Sequence, residues 1–328
     1  MRGLVLAAGL GSRLFPLTLG RAKPAVPFLN RPIIGYSLDL LAKAGVTEVA
    51  VNLHHLPDTV RKAVGEARGV RFSFEPEILG TGGAAANLRD FLGGDDFVVC
   101  NGKIYFEEDL TRIVAFHRET KALITLALVP TAGGEEFNPV YLASDSRVAG
   151  FGPAHRPAPD DRAFVFTGVH VMAPQVLDLI PEGPSDSVRD LYLRLVADKR
   201  RPIHGFVSDA YWCEISTPSR YLARSVEVLS RRGQLRLGDG LPPGSERVVA
   251  GPGCRVSGSA SLASCVLWEN VSVGDNVSLK NVVVADNISL PAGLRLVDSV
   301  VTARPASPEE VAARGGRHDG DNVIWPLM

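Results

Sequence analysis

The feature that most constrains the fold is a repeat towards the C-terminal end. From Val256 to Val300 the chain divides into short blocks, each opening on an aliphatic residue: Val256, Leu262, Leu267, Val273, Leu279, Val284, Leu290 and Leu296. The fifth residue of every block is also apolar: Ala260, Val266, Val271, Val277, Val283, Ile288, Leu294 and Val300. Block lengths run 6, 5, 6, 6, 5, 6, 6, 5, so equivalent positions recur every 17 residues. Three short sides per turn make a parallel β-helix, with aliphatic residues stacked in ladders inside. Ordinary antiparallel strands are the alternative, but they need no common register, and this one holds over nearly three turns.

The first ~230 residues have another rhythm, alternating strand-like and helix-like segments. Strands are predicted at Gly3 to Ala8, Thr47 to Leu53, Val70 to Phe74, Asp96 to Cys100, Ala122 to Val129, Phe164 to Val171 and Ile203 to Val207. Helices are predicted at Ile33 to Lys43, Asp58 to Ala67, Gly83 to Leu92, Val188 to Ala197 and Ser219 to Leu229. This βαβ order predicts an α/β fold, a Rossmann-like mostly parallel sheet with helices on both faces. Ligands bind such sheets beyond the carboxyl ends of the strands, so the loops after Ala8, Phe74 and Cys100 are expected to share one crevice. The predicted domains are 1–230 for the α/β part, 231–247 for a Gly-, Arg- and Pro-rich linker, 248–302 for the β-helix and 303–328 for a tail. In the tail, polar from Pro305 on, Ser307-Pro308-Glu309-Glu310 has capping-box spacing and predicts a short helix ending near Gly315.

A net charge of -1 over 328 residues argues against nucleic acid or an anionic membrane as partner. Cys100, Cys213, Cys254 and Cys265 lie far apart without CxxC spacing, which fits reduced thiols in the cytoplasm and no metal framework. No apolar run approaches the ~20 residues that span a bilayer, and no signal peptide is expected. Lysines number 7 of the 35 basic residues, which makes each lysine in a motif informative.

The first strand ends in Leu6-Ala7-Ala8-Gly9-Leu10-Gly11-Ser12-Arg13, with Pro16-Leu17-Thr18 and Lys23-Pro24 behind it. Glycines at a strand end let backbone N–H groups approach an anion, and Arg13 and Lys23 add two full cations. The combination suits a polyphosphate and, beside a sheet edge, a nucleotide. Alone, each piece has an ordinary reading: a strand-to-helix turn, a solvated arginine, a plain loop. Their joint occurrence argues for nucleotide binding.

Together these residues resemble the signature of the sugar-1-phosphate nucleotidyltransferases, the nucleotide-sugar pyrophosphorylases. Leu79-Gly80-Thr81-Gly82-Gly83 resembles the family's base-facing loop, Asn101-Gly102-Lys103 stands in the place of its Asn-Gly-Asp, and Trp212-Cys213-Glu214-Ile215-Ser216-Thr217-Pro218 in the place of its Trp-x-Asp-Ile-Gly-Thr-Pro. An α/β domain followed by a left-handed β-helix is the layout of the mannose-1-phosphate guanylyltransferase-like branch. The resemblance covers residues 1 to about 302. It implies an enzyme that joins a nucleoside triphosphate to a sugar 1-phosphate and releases pyrophosphate, with GTP and mannose 1-phosphate as the leading pair. UTP with glucose 1-phosphate or N-acetylmuramate 1-phosphate is the alternative. By the same resemblance Leu6, Ala7, Ala8, Gly9, Gly11, Ser12, Arg13, Lys23, Gly80, Thr81, Gly82 and Asn101 bind the nucleotide. Thr167 and Gly168 line the sugar side, and Arg13, Lys23 and Lys103 act on the phosphates.

Two positions depart from the pattern, both at the expected Mg²⁺ site. The family holds the ion with two aspartates, and here Lys103 and Glu214 stand in their places. An ammonium does not ligate Mg²⁺, which wants oxygens in octahedral geometry. Glu214 is therefore left as a weak metal candidate, aided by Asp209 or Glu107, and Mg²⁺ is expected to arrive with the triphosphate. The other accounts make Lys103 a built-in cation, turn it out of the cleft, or make the chain a catalytically impaired regulatory or sensor protein that binds sugar nucleotides. The family's Glu-Lys-Pro sugar-phosphate motif is also absent around Gly150-Phe151-Gly152-Pro153. A β-helix acetyltransferase needs a basic histidine, and none lies between Val248 and Thr302. The β-helix is expected to serve structure or a homo-oligomer instead.

Overall fold

A computed structural model describes residues 1–131, 137–198, 202–303 and 307–328. The expected start of the tail at Pro305 lies outside the described residues. By internal packing the chain divides into two compact units, Met1–Leu10 with Ile33–Glu214, and Gly11–Pro32 with Ile215–Met328. This is not the division expected at residue 230. The segment Gly11–Pro32 leaves the α/β part and joins the C-terminal unit, and the glycine-rich signature changes unit between Leu10 and Gly11.

The first unit is built on a mixed sheet of nine strands. Phe97–Asn101, Arg2–Leu6, Val49–Leu53 and Val70–Phe74 run parallel, side by side in that order. Their apolar runs explain this placement: Val49–Leu53 is buried at every position and Arg2–Leu6 at its three central ones. The long strand Arg162–Met172 lies antiparallel to Phe97–Asn101, Ile124–Pro130 and Pro139–Leu142. Its register with Ile124–Pro130 shifts between Phe166 and His170, a stretch that holds Thr167 and Gly168. Helices Ile34–Lys43, Gly80–Asn87 and Leu110–Glu119 pack against the sheet. Ile203–Val207 and Val70–Phe74 fall where the sequence places them, while most other ends shift by one to three residues. Leu110–Glu119 and the pair Pro139–Leu142 and Val148–Phe151 are elements that the sequence reading missed.

The second unit carries the repeat. Ser261–Leu267, Ser278–Val284 and Arg295–Thr302 pair in parallel, Leu262 opposite Leu279 and Leu279 opposite Leu296, with the 17-residue step intact. A second parallel ladder joins Arg255–Val256, Ser272–Val273 and Ser289–Leu290. Each long strand turns a corner at a left-handed residue in its middle, Ser264, Asn281 and Asp298, again 17 apart. The arrangement is compatible with a β-helix and is called the coil below. Leu262, Leu279, Val282, Val284, Leu290 and Val301 form its buried interior, each worth roughly 1.5–3 kcal/mol in burial. Glu246–Ala250 pairs in parallel with Ser261–Leu267 and Arg236–Leu237 with Glu246–Ala250, so part of the stretch expected as linker is paired. Asn322–Pro326 returns antiparallel to Arg295–Thr302 and covers that edge. The short helix is Pro308–Ala313, with the Ser307 hydroxyl accepting from the Glu310 amide at 3.2 Å.

Candidate active site

In the first unit the carboxyl ends of three neighbouring parallel strands are joined by buried polar groups. The Ala7 amide donates to Asn52 Oδ1 at 2.6 Å, and Asn52 Nδ2 donates to Glu75 Oε1 at 2.8 Å. Glu75 Oε2 in turn accepts from the Leu79 amide at 3.1 Å, just ahead of the helix Gly80–Asn87. Asn52 and Glu75 are 3% and 1% exposed, so this link runs through the interior, where polar groups persist only when paired. On the other side of Arg2–Leu6 the Gly102 amide donates to the Leu6 carbonyl at 2.9 Å. The segments after Leu6, Phe74 and Asn101 are thus held in one register, as their strand order predicts. Neither Asn52 nor Glu75 was singled out from the sequence. Polar residues at the end of otherwise apolar strands were the available signal.

The Gly80–Gly83 stretch is the first turn of a helix, where a loop was expected. Its glycines answer to a neighbouring segment of the chain. Gly80 has φ +75°, and a Cβ there would stand 2.5 Å from the Ser185 carbonyl oxygen. That oxygen accepts from the amides of Gly82 at 2.9 Å and Gly83 at 3.2 Å. Thr81 Oγ1 accepts from the Ser187 amide at 2.8 Å and donates to Asp186 Oδ2 at 3.3 Å. Residues 185–187 are therefore bonded directly to the start of this helix.

Asn101 and Gly168 meet across paired strands. Gly168 has φ +82°, and a Cβ at that position would lie 2.2 Å from Asn101 Nδ2, so only glycine leaves room for the carboxamide. The Thr167 hydroxyl is buried and donates to the Ala127 carbonyl at 2.8 Å. The Thr167 carbonyl accepts from the Trp212 indole at 2.9 Å, and Phe137 stands edge-on to that indole at 5.3 Å. Beside this strand a cavity of ≈ 490 Å³ is lined by Phe137, Asn138, Phe151, Gly152, Phe166 and Arg189, among others.

Lys103 and Glu214 face one another. Ile104–Phe106 pairs antiparallel with Trp212–Glu214, and Lys103 Nζ donates to Glu214 Oε2 at 2.7 Å. The side chains are 26% and 12% exposed, so water screens the pair only partly. A two-carboxylate clasp for Mg²⁺ does not fit here, because an ammonium stands where one ligand would be and binds the other. Glu107 is engaged elsewhere, with Oε1 accepting from the Tyr105 hydroxyl at 2.7 Å. Among the described residues no group of three or more His, Cys, Asp or Glu gathers at metal-binding range.

In the second unit Gly11 has φ +68°, and the chain then closes a short 3-10 turn over Ser12–Leu14. Ser12 and Arg13 are exposed on it. Thr18 Oγ1 donates to the Gly11 carbonyl at 3.4 Å. Lys23 opens a second turn, Lys23–Ala25, and is buried, its Nζ donating to the Ser216 carbonyl at 3.3 Å.

Residues 2–231 match the nucleotidyl transferase family. The chain belongs to that family. Nucleotidyl transferases similar to it include the mannose-1-phosphate guanylyltransferase of Mycobacterium tuberculosis, 30% identical over 290 residues, covering 82% of this chain and 80% of that protein. The mannose-1-phosphate guanyltransferase of Schizosaccharomyces pombe is 30% identical, covering 70% of this chain and 65% of its own length. The UTP–glucose-1-phosphate uridylyltransferase of Synechocystis is also 30% identical, covering 70% and 64%. Among the described residues this nucleotidyl transferase has no helix long and apolar enough to cross a membrane.

Proposed function

We propose that this enzyme makes a nucleotide sugar and pyrophosphate from a nucleoside triphosphate and a sugar 1-phosphate, with GTP and mannose 1-phosphate the favoured pair. The observation that carries the choice is the Mycobacterium tuberculosis relative, a mannose-1-phosphate guanylyltransferase similar over 82% of the chain. The first unit supports the reaction class, since its strand ends are bound together as a platform and a cavity beside Phe166 has room for a hexose phosphate.

In this reading a phosphate oxygen of the sugar 1-phosphate attacks the α-phosphorus in line. A P–O bond forms there, the bond to the bridging oxygen of the β-phosphate breaks, and pyrophosphate leaves with that electron pair. The protein's part is alignment and charge neutralisation. Arg13 serves the β- and γ-phosphates, Lys23 the α-phosphate and the leaving group, and Lys103 adds a resident cation. Amides of Ala8, Gly9, Gly11 and Ser12 cradle the triphosphate, Leu6, Ala7 and the Gly80–Gly82 turn meet the nucleoside with Asn101, and Thr167 and Gly168 bound the sugar. Mg²⁺ enters as part of the triphosphate substrate. The proposal extends to a cytoplasmic homo-oligomer paired through a left-handed coil.

UTP with glucose 1-phosphate is the second reading, and the Synechocystis relative favours it. The impaired-homologue alternative rests on Lys103 and Glu214, with the missing Glu-Lys-Pro motif as lesser support. Pyrophosphate release is measured for GTP, UTP, dTTP and ATP against mannose 1-phosphate and glucose 1-phosphate. The expected result is the highest kcat/KM for GTP with mannose 1-phosphate. A preference for UTP with glucose 1-phosphate selects the second reading, and no release with any pair overturns both.

A further inference from the structure

The cations assigned to the triphosphate, Arg13 and Lys23, lie on a segment with little regular structure of its own. Two 3-10 turns and two two-residue strands are its only elements, and short turns of this kind do not hold their shape unaided. The segment is held by the rest of the second unit. Arg21 Nε and Nη2 both reach Asp286 Oδ2 at 2.8 Å. Asp286 sits at a corner of the coil, next to the left-handed Asn287, and its Oδ1 accepts from the Glu269 amide at 3.1 Å. The Arg21 guanidinium also stands over the Trp268 ring at 5.6 Å. Trp268 Nε1 donates to the Tyr221 hydroxyl at 2.9 Å, and that hydroxyl donates to the Pro27 carbonyl at 2.6 Å. At the other end Phe15 packs edge-on against Trp325 at 4.9 Å.

The spacing gives these anchors a meaning beyond packing. Phe15 lies two residues after Arg13, and Arg21 two residues before Lys23. Anchors two residues away limit where the backbone of each cation can stand, and preorganised charge near phosphates is worth more than charge that must first be ordered. The Asp286 carboxylate is itself held by the Glu269 amide, so Arg21 is tied to a corner that the coil repeat keeps rigid.

We infer that Arg21, Asp286 and Trp268 are positioning residues for the triphosphate, so that the coil corner sets where Arg13 and Lys23 stand; this rests on the nucleotidyl-transfer reading above. Their role is indirect, since none is assigned a contact with substrate. Loosening the corner weakens nucleotide binding, while the affinity for the sugar phosphate stays as it was.

The test measures GTP binding by titration calorimetry and both KM values in the pyrophosphate-release assay, for wild type, Arg21→Ala, Arg21→Lys, Asp286→Asn and Trp268→Phe. Arg21→Ala and Asp286→Asn are expected to raise the GTP Kd and KM about tenfold, with the sugar-phosphate KM within twofold of wild type. Arg21→Lys, which keeps the ion pair, is expected to recover most of the loss. Far-UV circular dichroism identifies the variants that fold, and Arg21→Lys and Trp268→Phe keep the comparison available if the harsher changes do not. Unchanged GTP affinity in a folded Arg21→Ala overturns the inference and leaves the nucleotidyl-transfer reading standing. An equal rise in both KM values also overturns it, because general loosening would do that. If the wild type binds UTP rather than GTP, the same comparison is read with UTP, and absence of binding to GTP, UTP, dTTP and ATP alike removes the functional reading and the inference with it.

Discussion

At the scale of single residues the ion pair of Lys103 and Glu214 has the most chemistry attached to it. A lysine ammonium delivers one positive charge at a fixed point, where Mg²⁺ would deliver two and organise oxygens around itself. Lys103→Met, which keeps the stem and removes the charge, is expected to slow pyrophosphate release at saturating substrate by at least about tenfold, roughly 1.4 kcal/mol of barrier. Lys103→Asp places two carboxylates together and is expected to regain rate as Mg²⁺ is titrated above the amount held by the triphosphate. A wild-type rate in Lys103→Met would remove Lys103 from the machinery. Arg13 and Lys23 stand out in the sequence as cations beside a glycine-rich strand end, and Lys103 and Glu214 stand out only because they occupy the places of the family's two motif aspartates. Asn52 and Glu75 do not stand out, because their significance comes from a 2.8 Å contact between neighbouring strands that chain order alone does not display.

At the scale of elements, glycines mark where one piece of backbone lies against another. Gly80→Ala adds a methyl group 2.5 Å from the Ser185 carbonyl oxygen at φ +75°, and the atom it meets belongs to backbone rather than to a flexible side chain. A loss of about 2 kcal/mol or more is expected, read as a lower urea midpoint with unchanged slope. Gly94→Ala meets nothing within 4 Å and is expected to stay within about 0.5 kcal/mol of wild type. The resemblance assigns the glycines of Gly80–Gly83 to a base, and their close approach to Ser185 is a second demand on them that a glycine run does not name. The coil was legible for the opposite reason: each turn repeats the demands of the last, so side chains that bond one turn apart also recur. Asn281 Nδ2 to Asp298 Oδ1 at 2.8 Å and Asn270 Nδ2 to Asn287 Oδ1 at 3.1 Å both span 17 residues. Arg162–Met172, antiparallel among neighbours that read as parallel, was found as a strand, but its direction depends on distant pairing.

At the scale of the whole molecule, buried histidines set the response to acid. Burial pushes His170 down to about 3, while its Nδ1 shares a hydrogen bond with the buried Tyr192 hydroxyl at 2.6 Å. Above pH ~6.5 the ring is neutral in both folded and unfolded chains and its contribution is complete. As pH falls from there towards 3 the unfolded chain takes up a proton that the folded chain refuses, so stability is lost at up to ~1.4 kcal/mol per pH unit. Burial lowers His117 and His204 as well, which adds to the same slope. Asp286, raised by burial against the pull of Arg21, acts with the opposite sign at lower pH. Urea midpoints at pH 7, 6, 5 and 4 are expected to fall steadily, and His170→Gln to flatten the fall by about one proton; an unchanged slope would place that proton elsewhere. The second unit also imposes an order of events on a chain made from its N-terminus. Asn30 Nδ2 bonds the Ala250 carbonyl 220 residues later, and Arg21 bonds Asp286 265 residues later. Such distant closures are slow to form. On the ribosome the signature segment emerges well ahead of the coil and must wait for it, so a nascent chain carries Arg13 and Lys23 long before the corner at Asp286 exists to hold their segment in place.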